Sequence, residues 1–187
     1  MADVTIGQLT ANTPNKNSAI IPYSDGSTTY KTSPSGIVAA SPGCVLQVKQ
    51  VIKNDTFSTT STSYVDIPGL SIDITPTNSS SKIMVMVNLG GTGNSTNSTN
   101  MFRYTRNGTA LTTSSETWGS MFTVYTGTRG TIPASFSLLD SPNTTSSLNY
   151  KLQMRIDGFG ATGTVNLHNT NANYTSISTM SVWEIAG

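Results

Sequence analysis

Leu70-Ser71-Ile72-Asp73-Ile74-Thr75-Pro76, followed by Thr77-Asn78-Ser79-Ser80-Ser81-Lys82 and then Ile83-Met84-Val85-Met86-Val87, is the stretch that decides the fold. In its first part Leu70, Ile72 and Ile74 share one parity and Ser71, Asp73 and Thr75 the other. That period of two is the signature of a strand with one face in a core and one in water. Pro68-Gly69 is read as its start and Pro76 as its end. After the polar loop, Ile83 to Val87 is apolar on both parities, which predicts a strand covered on both faces. In a chain this polar, the second cover is expected to come from a partner subunit. Nothing in the stretch suggests chemistry.

Composition supports the same class. Of 187 residues, 73 are Thr, Ser or Asn, and only 10% are charged. Thr favours strands while Ser and Asn favour turns, so the mix predicts an all-β protein with many turns. No window shows apolar residues at i, i+3, i+4 and i+7, so helix is expected only as isolated turns. Ten basic residues against nine acidic ones are scattered along the chain, which argues against nucleic-acid binding. The single cysteine, Cys44, excludes an intrachain disulfide and a cysteine metal cluster, and is read as a small buried thiol at a strand start. The opening Met-Ala-Asp-Val has no basic region followed by an apolar one, and no run approaches 18 apolar residues. Synthesis and folding in a cytoplasm, without membrane insertion, are the expectation.

Further strands are predicted at Val45–Ile52, around Phe102 and Tyr104, at Trp118–Tyr125, Ile132–Leu138, Leu148–Ile156, Val165–Leu167 and Tyr174–Ile185. Asn107-Gly108 marks a tight hairpin, because both central positions of a type I′ turn need positive φ. Pro133 places its strand at a sheet edge. Gly90 to Asn100, with no aliphatic anchor, is read as an exposed loop. Nine or ten strands suffice for two sheets packed face to face, an antiparallel, jelly-roll-like β-sandwich.

Residues 1–42 differ. Val4, Ile6 and Leu9, then Ile20, Ile21 and Tyr23, then Tyr30, then Ile37 and Val38 are short anchors between polar, proline-containing links, too short to close a core. The reading is an N-terminal attachment arm at 1–42 and a knob domain at 43–187, with Tyr23 to Tyr30 a small hairpin turning at Asp25-Gly26. The order Ile6-x-x-Leu9, a polar link, then Ile20-Ile21-Pro22-Tyr23-Ser24-Asp25-Gly26 and Thr29-Tyr30-Lys31-Thr32 resembles the N-terminal segment of tailed-bacteriophage fibre proteins. That resemblance implies attachment of the chain to a particle.

A second resemblance covers most of 42–187. Pro42-Gly43-Cys44-Val45-Leu46-Gln47-Val48, Ile74-Thr75-Pro76 with Ser81-Lys82-Ile83-Met84-Val85, the block Ser137 to Asp157, and Met180-Ser181-Val182-Trp183-Glu184-Ile185 are similar to a β-rich module of phage virion proteins from marine and cyanobacterial viruses. His168 departs from that pattern. The resemblance implies a virion-surface structural protein, a head fibre or capsid decoration. It also supplies the number three for the partner that the Ile83–Val87 strand asks for, since closed symmetry alone allows two as readily.

Chemistry finds little support. His168 is the only histidine, and a lone histidine among Asn and Thr is ordinarily a solvated side chain. Asp66, Asp73, Asp140, Asp157, Glu116 and Glu184 could supply a glycosidase carboxylate pair, but each is read as single, on a polar parity or in a turn. Trp118, Tyr125 and Trp183 could stack on a sugar, although core or interface packing is the plainer role. No catalytic, cofactor-binding or metal residue is assigned. The expectation is a non-enzymatic homotrimer that contacts other virion proteins through residues 1–42. The alternative is a tail-fibre or receptor-binding knob recognising host-surface glycans, with a depolymerase as the weaker rival.

Overall fold

The computed structural model describes residues 21–24, 29–32, 42–95, 98–111, 122–125, 131–158, 160–168 and 171–187. The chain divides into two units, Met1–Cys44 and Val45–Gly187. In the first, β1 (Ile21–Ser24) pairs antiparallel with β2 (Thr29–Thr32), with Tyr23 opposite Tyr30 and Ser24 opposite Thr29. The hairpin expected there is present. Its turn at Asp25-Gly26 and the rest of the expected arm lie outside the described residues.

The second unit is all-β, and every element among its described residues is a strand. Eight strands form its frame: β3 (Val45–Lys53), β5 (Val65–Ile74), β6 (Lys82–Asn94), β7 (Thr99–Arg106), β9 (Phe122–Tyr125), β10 (Thr131–Asp140), β11 (Leu148–Asp157) and β15 (Ser178–Ile185). One antiparallel sheet runs β3-β15-β6-β10 and the other β5-β11-β7-β9. Numbering the eight in chain order gives 1-8-3-6 and 2-7-4-5, the interleaved order of a jelly roll. Short strands extend the frame. β4 (Phe57–Thr59) and β12 (Gly163–Val165) prolong the first sheet beside the far end of β6, and β8 (Thr109–Ala110) folds back on β7. β13 (Leu167–His168) and β14 (Asn171–Thr175) make a separate hairpin. The last strand expected from the sequence, Tyr174 to Ile185, is therefore two.

The core lies between the sheets. Leu70, Ile72 and Ile74 of β5, Ile83, Val85 and Val87 of β6, Leu152, Met154 and Ile156 of β11, and Met180 and Val182 of β15 are all buried in one cluster. Each buried aliphatic side chain contributes about 1.5–3 kcal/mol by area. Phe136 anchors the aromatic part, stacked on Phe122 at 4.3 Å and tilted against Phe102 at 5.3 Å.

Two bulges account for where the sequence reading departs from the structure. Pro68-Gly69 does not begin β5. It lies within it, at a register shift against β11, with Gly69 at φ +82, a conformation that favours glycine. The second bulge is in β6. Ala134 pairs with Leu89 and Ile132 with Thr92, so β6 carries one extra residue at Gly90-Gly91, opposite Pro133. Gly90 to Asn94 is thus strand, not exposed loop, and Gly91, Thr92, Gly93 and Asn94 are buried. A Cβ on Gly90 would overlap the Ile177 carbonyl, so close backbone approach requires glycine there. The Asn107-Gly108 turn has φ 50 and 80, as a type I′ hairpin needs. Among the described strands β10 bonds only to β6, an edge position that suits Pro133. Cys44 is half-exposed and free, not buried.

Candidate interaction surface

The carboxylates come first, because any hydrolytic chemistry would start from them. Glu184 on β15 and Asp140 on β10 flank Ile83 on either side of β6 and share its inward-facing position. Glu184 is fully buried. It accepts hydrogen bonds from Gln47 Nε2 at 2.6 Å, the Thr77 N–H at 2.6 Å and Thr77 Oγ1 at 2.7 Å. Burial pushes its pKa up, but the donors Gln47 and Thr77 outweigh that and hold it below the usual carboxylate value. Asp140 accepts from Arg106 Nη1 on both of its carboxylate oxygens, at 2.9 and 2.7 Å, and from the Tyr150 hydroxyl at 2.6 Å. Burial first, then the Asp140 carboxylate, push the Tyr150 phenol well above its ordinary range. Asp140 ties one sheet to the other, Glu184 ties β15 to β3 and to the turn after β5, and the oxygens of both are taken up by structural donors.

The sequence reading placed these acids singly on a polar parity or in a turn, Asp140 opening the turn after its strand, and this is corrected. Glu184 continues the parity of Met180 and Val182, and Asp140 that of Phe136 and Leu138. Lys53 likewise continues the inward parity of Val51; it is buried, and its Nζ bonds Asp55 at 2.8 Å. That shared parity was the signal available. The other acids stand as expected: Asp66, Asp73 and Asp157 are exposed, while Glu116 and Trp118 lie outside the described residues. His168 is in β13. No cluster of three His, Cys, Asp or Glu able to hold a metal occurs among the described residues. Nor is any helix among them long and apolar enough to cross a membrane.

Asn166, at φ 60, seals the break where β12 ends and β3 gives way to β4. Its Nδ2 donates to the carbonyls of Lys53 and Asp55, its Oδ1 accepts from Ser178 Oγ, and its N–H donates to Gly91 O.

The two outer faces of the sandwich differ sharply. On the β5-β11-β7 face Asp66 accepts from Lys151 Nζ and Gln153 Nε2, both at 2.7 Å, Gln153 Oε1 accepts from Arg103 Nε at 2.8 Å, and Asn149 donates to Ser71 and Asp73. Arg103 also lies over the Tyr64 ring at 3.9 Å. This is a hydrogen-bonded, hydrated face. The β3-β15-β6-β10 face is apolar across its middle. Val48, Trp183, Met84 and Leu139 are register partners in one row spanning all four strands. Val48 is 52% and Leu139 51% exposed, with Ile52 at 63% and Val45 at 46% on the same face. Trp183, Met84 and Met86 are half-buried, so the second side of the Ile83–Val87 strand is only partly covered by the described residues. A shallow depression of about 240 Å³ lies beside it, lined by Met86, Asn88, Ser135, Phe136 and Ser137.

No family model and no curated protein matches the sequence. Among solved structures it is similar to the structure of infectious bursal disease virus Gx strain, with TM-score 0.41, 12% identity, and 90% of this chain against 42% of that one covered. It is similar also to that of the Gt strain, with TM-score 0.41, 13% identity and coverage of 90% and 43%. The VP2 subviral particle of the same virus gives TM-score 0.40, 12% identity and coverage of 90% and 43%. The chain spans less than half the length of the chains it matches.

Proposed function

We propose that this protein is a non-enzymatic structural component of a bacteriophage particle. In this reading it is a homotrimeric head fibre or capsid decoration fastened by residues 1–42, with the β-sandwich as its knob. The observation that carries the reading is the contrast between the outer faces: one is closed by its own hydrogen bonds, while the other presents a contiguous apolar row, which soluble monomers avoid. The phage setting rests on the resemblance of residues 6–32 and 42–187 to phage virion proteins. Engagement of Glu184 by Gln47 and the Thr77 turn, and of Asp140 by Arg106 and Tyr150, supports a structural role over a hydrolytic one. A carbohydrate-binding knob needs an aromatic ring open to stacking, and on the polar face Tyr64 is capped by Arg103. The test is electron microscopy of intact particles with the knob labelled, together with light scattering of the isolated protein. The reading expects label on the head surface and a mass three times that of the chain. Label confined to tail-fibre tips, or a stable monomer at micromolar concentration, would refute it.

A further inference from the structure

The row Val48–Trp183–Met84–Leu139 reaches both lateral edges of its sheet, and its most exposed members stand at those edges. An ordinary pairwise interface has an apolar centre inside a polar rim. Here the rim carries polar residues along the strand direction, where the next row is Gln50, Ser181, Met86 and Ser137 on one side and Val45, Ile185 and Lys82 on the other. At the sides it is apolar, so a neighbour is called for at each edge as well as over the middle. Among the described residues the charge on this face is confined to one end, at Lys82, which donates to Ser141; a copy of the same chain meets little like-charge repulsion there.

We propose that three copies turn this face toward a common threefold axis and form a triangular prism of sheets, β3 of each copy abutting β10 of the next. The inference rests on the homotrimer reading above and adds the face, the seam and its residue pairing. Four strands about 4.8 Å apart make a face about 19 Å wide. In an equilateral prism with sides of about 19 Å each sheet lies about 5.5 Å from the axis, against about 5 Å for half the spacing of packed sheets. Side chains of Trp183 and Met84 on the two middle strands therefore reach the axis without leaving a void. Rotation about the axis preserves height, so Val48 of one copy faces Leu139 of the next. Two register steps away, Ile52 faces the depression beside Ser135 and Ser137 of that neighbour. This is a head-to-tail contact that closes after three steps.

The experiment uses the full chain with Cys44→Ser, carrying Val48→Cys and Leu139→Cys together or singly, oxidised with copper-phenanthroline and run on a denaturing gel. Native mass is measured by light scattering on the same samples. The prism predicts covalent trimers from the double variant and no cross-linked species from either single one. A trimeric mass without the seam cross-link, or covalent dimers from a single variant, overturns the prism while leaving a trimer standing. A monomeric mass in the unmutated protein overturns the trimer itself. Should the cysteine variants misfold, Val48→Lys supplies a second readout at an exposed position. It is expected to convert trimer to monomer with an unchanged circular-dichroism spectrum, and retention of the trimer refutes the seam.

Discussion

Glu184→Gln removes a charge that the sandwich has enclosed without a cation among its hydrogen-bond partners. The carboxylate offers acceptors to three donors: the Thr77 N–H and hydroxyl converge on Oε1, and Gln47 Nε2 reaches Oε2. A glutamine can keep its carbonyl toward Thr77, but its amide N–H₂ then confronts the N–H₂ of Gln47. Flipping Gln47 relieves that conflict only by giving up its 2.8 Å bond to the Thr75 carbonyl. One charge-assisted hydrogen bond is lost and two are weakened. At about 1.5–3 kcal/mol for hydrogen bonds to charged groups, the expected destabilisation at pH 7 is about 2–3 kcal/mol. Urea unfolding is the assay, with the midpoint falling and the slope unchanged. Acid supplies a second arm. The folded pKa of Glu184 lies below its ordinary 4.5, so its stabilisation is fully present above about that pH and is lost as pH falls through the folded value. The gap between wild type and Glu184→Gln should therefore narrow steadily below that pH. Equal midpoints at pH 7, or a gap that stays constant into acid, would show that Glu184 does not clamp the turn after β5.

Asp140→Asn should cost about 1.5–3 kcal/mol, and a double-mutant cycle with Arg106→Gln should return a coupling near 1 kcal/mol or more; additive costs would deny the clamp. Gly163→Ala places a Cβ against Met154 Cε and 2.6 Å from both Asn100 Oδ1 and Ile156 Cγ2, so thermal unfolding should show a loss of about 1–3 kcal/mol. Gly108→Ala, at φ +80 in open space, should cost about 1 kcal/mol and serves as the comparison. Removing residues 1–42 should leave the β circular-dichroism spectrum intact and abolish rebinding to particles lacking the protein, and full rebinding would reject the attachment arm. Met84→Asp with Met86→Asp should shift the light-scattering mass to that of one chain.

How far the fold was legible depended on whether each strand kept one parity from end to end. β11 does: Leu148, Tyr150, Leu152, Met154 and Ile156 are all buried, and the alternation printed in the sequence is the alternation in space. The inward series Ala134, Phe136 and Leu138 of β10 reads the same way, as does the Asn107-Gly108 turn, whose chemistry is local. β6 does not. Up to Leu89 its odd-numbered residues face the core. Beyond the Gly90-Gly91 bulge the even-numbered Thr92 faces inward, opposite the buried Val165 of β12. A single inserted residue turned a polar but buried segment into what reads as an exposed loop.

The same logic explains what was missed at the site. Thr92 and Asn100 look like loop residues because their type is polar, yet Asn100 Nδ2 donates to Thr92 Oγ1 at 3.0 Å and to Gly93 O at 2.8 Å inside the sandwich. Lys53, Asp140 and Glu184 look like surface residues for the same reason, yet each sits at the end of an inward-facing series where the core gives way to polar contacts: Lys53 with Asp55, Glu184 with the Thr77 turn, and Asp140 with Arg106 of the facing sheet. Residue type told where the middle of the core lies; parity carried through to the strand ends tells where it stops. On the β3-β15-β6-β10 sheet that same parity leaves Val48, Trp183, Met84 and Leu139 on the far side of a core already filled by Val85 and Val182. A sheet with two apolar sides and one core of its own has a second core to complete, and in the proposed prism copies of this chain supply it, matching it in width, neutrality and register.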